Sequence, residues 1–69
     1  MDITWEEGSE IAVRIDDGAV TVSANTAGLR SLAGILQNLA DGAEGDHLHL
    51  DENNALEDGS AELIIEKVQ

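Results

Sequence analysis

Gly45-Asp46-His47-Leu48-His49-Leu50-Asp51 is the cleanest alternation in the chain. Successive side chains on a strand project to opposite faces, so Leu48 and Leu50 point one way and His47, His49 and Asp51 the other. One of those faces must be buried. The other carries both histidines of the protein. The stretch follows the one convincing helical pattern, which places it as an inner strand of the expected sheet.

That helical pattern precedes it. Leu29, Leu32, Ala33, Leu36, Leu39 and Ala40 recur at spacings of three and four, with Ile35 on the flank. Such spacing puts one apolar stripe along a helix. Asn25 or Thr26 supplies the N-cap, since either side chain can accept from an unpaired amide of the first turn. Gly34, inside the helix, costs about 1 kcal/mol relative to Ala unless it allows a close approach to the sheet. Asp41-Gly42 ends the helix, with Gly42 suited to a left-handed cap. A helix of about 16 residues spans roughly 24 Å, enough to cover a small sheet.

Further upstream, Ile11, Val13 and Ile15 alternate with Ala12, Arg14 and Asp16, and Val20, Val22 and Ala24 alternate with Thr21 and Ser23. Asp17-Gly18 between two alternating runs is a strong hairpin signal. Ile3-Thr4-Trp5 also alternates, and Glu6-Glu7-Gly8-Ser9 reads as a turn, so residues 2–24 are expected to form a three-stranded meander. Downstream, residues 52–59 make a polar connection whose lone Leu56 tucks onto the core edge. The last strand runs from about Ala61 to Val68, with Leu63 and Ile65 inward and Glu62, Ile64, Glu66 and Val68 on the other face.

The expected fold is therefore a single small α+β domain over residues 1–69. A mainly antiparallel sheet of about five strands, in the order β-β-β-α-β-β, carries one helix on one face. Its second face would hold Arg14, Thr21, Ser23, His47, His49 and Asp51, with some of Ile64 and Val68, and such a face can be wet. A chain of this length buries only about 60% of its unfolded surface.

Charge narrows the function. Fifteen acids face three bases, Arg14, Arg30 and Lys67, for a net charge of −12. Residues 41–69 hold nine acids and one base (−8), against six acids and two bases (−4) in residues 1–40. A surface of that sign repels nucleic-acid phosphates and anionic lipid, and speeds encounter with a basic protein. It also serves simply to keep a small protein soluble. Trp5 is the only aromatic residue, which removes the stacking platforms of single-strand binders. Nucleic acid and membrane are thus excluded as expected partners. The opening Met1–Glu7 has no basic region and no long apolar run, so it reads as neither a signal peptide nor a membrane span. The absence of cysteine fits a reducing, cytoplasmic setting.

Candidate chemistry is thin. His47 and His49, two apart on one strand face with Asp51 next, can chelate a metal, but a two-ligand signal is weak, and the expected reading is two surface histidines hydrogen-bonded to nearby acids, with no metal. With no further His or Cys, no closed zinc site is available. Asp51 to Glu62 starts like a calcium loop, then fails at Ala55 and at Leu56, where the sharp turn requires Gly. Ser23 or Ser60 with His49 and Asp51 makes a triad only on paper, without a nucleophile elbow or an oxyanion loop. Neither an enzyme nor a cofactor is expected.

Three segments carry a resemblance: Gly28-Leu29-Arg30-Ser31-Leu32-Ala33, the histidine strand, and Leu56-Glu57-Asp58-Gly59-Ser60-Ala61-Glu62-Leu63-Ile64-Ile65-Glu66. In order and spacing they resemble the immunity protein 32 family, small immunity proteins of bacterial polymorphic toxin systems. The resemblance covers about residues 28–67. His-Leu-His-Leu-Asp and Leu-Glu-Asp-Gly-Ser are its more specific parts, and none is a catalytic signature. It implies a cytoplasmic α+β protein that binds a cognate toxin and blocks it, and it brings no contact residue with it. On charge, the expected contact surface is Asp51, Glu52, Glu57, Asp58, Glu62 and Glu66, with His47 and His49 alongside, facing a basic toxin. The rival expectation is a self-associating structural module, a homodimer built through Ile64 and Val68 or an uncovered strand edge.

Overall fold

The structure, a computed structural model, describes residues 5–69. Two strands, β1 (Ile11–Asp16) and β2 (Ala19–Ala24), precede the helix α1 (Thr26–Ala40), and β3 (His47–Leu50) and β4 (Leu63–Glu66) follow it. Among the described residues no helix is long and apolar enough to cross a membrane.

The β1–β2 hairpin forms as its sequence dictates. Ile11 stands opposite Ala24, Val13 opposite Val22 and Ile15 opposite Val20. Asp17 (φ 49°) and Gly18 (φ 80°) both take left-handed backbone, which the tight two-residue turn matching strand twist requires. β3 and β4 pair antiparallel, with His47 opposite Glu66, Leu48 opposite Ile65, His49 opposite Ile64 and Leu50 opposite Leu63. Gly45 N–H donating to the Lys67 carbonyl, and Lys67 N–H to that of Asp46, extend this ladder.

The expected single five-stranded sheet is not what forms. The strands make two separate two-stranded antiparallel sheets, β1–β2 and β3–β4. Ile3 and Thr4 lie outside the described residues. Trp5 is not in a strand; it is half-buried and packs against the core. The Glu6–Ser9 turn does form, closed by Ser9 N–H on the Glu6 carbonyl.

The two sheets stay apart because an irregular segment lies between them. Glu57 N–H donates to the Ile11 carbonyl and Ala61 N–H to that of Val13. The Ser60 Oγ accepts from Val13 N–H at 3.1 Å. The outer edge of β1 is thus satisfied by a loop, with a hydroxyl standing where a strand would offer a carbonyl. Ser60→Ala is expected to leave that amide unpaired beside a residue only 1% exposed. The cost is about 1–2 kcal/mol, read as a lower urea midpoint at unchanged slope and largely restored by Ser60→Thr.

Ile11, Val13, Ile35, Leu39, Leu48, Leu50 and Leu56 form the core. Leu48 and Leu50 face inward as the alternation requires, Leu56 tucks in, and Leu63 and Ile65 pack against the cluster from β4. The helix, however, is turned relative to its expected stripe. Its buried residues are Gly28, Ser31, Ile35 and Leu39, while Leu29 and Leu36 are exposed. The reason lies in two small residues. Gly28 lets the backbone of α1 approach β1 and β2 closely: a Cβ there would lie 2.5 Å from the Glu10 carbonyl oxygen. Ser31 is buried because its hydroxyl donates to the Ala27 carbonyl and accepts from Glu6 N–H, both at 2.8 Å. Gly34, the expected point of close approach, has open space around its Cα.

The helix ends are fastened by side chains, one local and one distant. Asn25 is the N-cap and accepts from Gly28 N–H at 2.8 Å. At the other end Gly42 is not left-handed. Instead Lys67 Nζ reaches across and donates to the carbonyls of Ala40 and Gly42 at 2.7 Å each. A cation on those carbonyls satisfies two acceptors and complements the helix dipole.

Candidate partner-binding surface

The residues expected to meet a partner fall into two groups. The first lies on the outer face of β3–β4. Cross-strand partners share a face, so His47, His49, Ile64 and Glu66 stand together, opposite the buried Leu48 and Leu50. The histidine rings meet edge to face, with centroids 5.1 Å apart. His49 Nδ1 lies 3.4 Å from Glu62 Oε2, both side chains about half exposed. An exposed pair of that length contributes little to stability.

The second group is the 51–58 connection. Here the acids are partly occupied by the fold itself. Asp51 Oδ1 accepts from Asn53 N–H, and the Asp51 carbonyl collects Asn54, Ala55 and Leu56 N–H. Asn54 closes the turn, accepting from Asp51 N–H and donating to the His49 carbonyl. Glu52 Oε2 accepts from Gly59 N–H at 2.7 Å. The carboxylates of Glu57, Asp58 and Glu66 make no hydrogen bond or ion pair among the described residues.

This arrangement bears on the candidate chemistry. Asp51 falls outside β3 and is held by its own turn, so it does not continue the histidine row. Ser60 Oγ accepts from Val13 N–H, and His49 Nδ1 lies beside Glu62. No group of three or more His, Asp or Glu able to hold a metal occurs among the described residues.

A third surface was hidden in the sequence. Val22, Leu29, Leu32, Leu36, Leu63 and Ile65 line an open groove of about 420 Å³ between β2, α1 and β4. Periodicity assigned Leu29 and Leu36 to the core. They are instead 56% and 46% exposed. On the hairpin, Ile15 and Val20 share the face of the buried Ile11 and Val13, yet both are exposed. One sequence signal could have located it: residues 18–40 contain no acid at all, in a chain of fifteen.

A family model described as immunity protein 32 matches residues 19–68, which covers β2, α1, β3 and β4 and leaves β1 outside. No curated protein matches the chain. No solved structure matches it.

Proposed function

This chain belongs to the immunity protein 32 family, and we propose that it neutralises a cognate protein toxin by stoichiometric binding in the cytoplasm. The single observation that carries the reading is the family match over residues 19–68. The charge of −12 supports it: a basic toxin is drawn to such a surface and held against it. Neutralisation by occlusion needs no catalytic group, and the His47–His49 face and the 51–62 segment then act as contact surface. Glu57, Asp58 and Glu66 are the acids best placed to meet a cation, because their carboxylates are not engaged within the described fold. Glu52 and Asp51 first have to give up internal amides.

The test is co-expression with the product of the neighbouring reading frame in a naive host. The neighbour is expected to arrest growth alone and to be rescued by this chain. With purified proteins, the association rate is expected to fall about tenfold or more between 50 and 500 mM salt, as steering is screened. Glu57→Lys with Asp58→Lys should slow association further at low salt and flatten that slope. A rate indifferent to salt removes the electrostatic mechanism while leaving neutralisation in place.

A further inference from the structure

We propose that the groove between β2, α1 and β4 is the core of the toxin contact, taking an apolar segment of a basic toxin, and that the acids form its rim. This rests on the toxin-neutralising reading above. Three large apolar residues on the groove, Val22, Leu29 and Leu36, are exposed, and so are Ile15 and Val20 on the hairpin face of Val22. A contiguous apolar patch on so small a domain marks an interaction site. Charge is distributed around it as an interface requires. From Gly18 to Ala40 there is no Asp or Glu, and Arg30 is the only charged residue. Acids resume at the ends of the elements that form it: Asp16 and Asp17 at the hairpin turn and Asp41 after α1. Charge depleted at the centre and concentrated at the edge is the anatomy of a binding surface.

The same charge decides the occupant. A second copy would bring another −12 against this acidic rim, whereas a basic protein meets it with the opposite sign. The groove supplies affinity through desolvation, and the rim supplies rate and orientation.

Two variants test this beside the wild type. Leu29→Asp with Leu36→Asp changes residues already open to water, so the fold is expected to persist, checked by circular dichroism and melting. Rescue of growth should be lost, and binding of the purified neighbouring product weakened tenfold or more. Leu36→Cys gives a unique thiol, since the chain has no cysteine. Its labelling rate should drop tenfold or more in the complex, whether or not the double variant folds. A folded double variant that rescues like wild type, or an introduced thiol labelled equally fast free and bound, overturns the assignment. Labelling that slows with rising concentration of this chain alone gives the groove to a second copy and overturns it too. A wild-type chain that fails to rescue overturns the toxin reading, and the groove assignment falls with it.

Discussion

Gly28→Ala is expected to lower stability by about 2–3 kcal/mol, against the helix propensity that makes the same change favourable elsewhere. Gly28 sits in the first turn of α1, where Ala would ordinarily gain up to about 1 kcal/mol. Here the added Cβ would lie 2.5 Å from the Glu10 carbonyl oxygen, 2.9 Å from Ile11 Cγ1 and 3.1 Å from the Ala24 Cβ. Two of those three belong to backbone or to a Cβ, and neither can turn aside as a flexible side chain does. The helix must therefore lift from the hairpin, over the fully buried Ile11. Gly34→Ala is the control on the same helix. Nothing lies within 4 Å of its added Cβ, so it should stabilise by about 0.5–1 kcal/mol. Thermal melts of both variants check the pair. Equal and positive shifts would mean that α1 does not approach the hairpin at Gly28. In a domain of this size, holding roughly 3–10 kcal/mol in all, the Gly28 loss is a large share.

This contrast marks what the chain discloses by itself. Period-two alternation located β1, β2 and β3, because each has an alternating apolar face and the turn residues between the first two favour a tight hairpin. Leu48 and Leu50 were legible for the same reason. The helix was legible in extent and not in rotation. Hydrophobic spacing weighs Leu29 and Leu36 above Gly28 and Ser31, yet proximity to the sheet is decided by the side chain that is missing and by the hydroxyl that finds two partners. What looked like one wide apolar stripe is two faces, one on the core and one on the open groove. The single sheet failed for a comparable reason. Pairing between β1 and the 57–61 segment runs partly through the Ser60 hydroxyl, and no periodicity encodes such a side-chain substitute. Of the candidate contact residues, the sequence grouped the acids by proximity in the chain. Their internal commitments, Glu52 to Gly59 and Asp51 to Asn53, depend on loop geometry and emerge only in the fold.

Asn25→Ala is expected to cost about 2–3 kcal/mol, more than an ordinary N-cap. The cap itself is one bond: Asn25 Oδ1 accepts from Gly28 N–H at 2.8 Å. The same oxygen accepts from Glu10 N–H at 3.1 Å, and Nδ2 donates to the Gly8 carbonyl at 2.9 Å. The Asn25 backbone N–H meanwhile donates to the Glu10 carbonyl at 3.1 Å. One amide side chain thus joins the Glu6–Ser9 turn, the start of β1 and the first turn of α1. Removing it opens the joint on which the Gly28 contact depends, so the two sites must couple. Asn25→Asp separates the roles. Its carboxylate keeps both acceptor bonds and favours the helix N-terminus, but it puts an oxygen where Nδ2 faced the Gly8 carbonyl. It should recover roughly half of the Ala loss. Denaturant midpoints for both variants decide the matter. An Asn25→Ala loss below about 1 kcal/mol would reduce Asn25 to a simple cap, and additivity with Gly28→Ala would show that the turn and the helix are held independently.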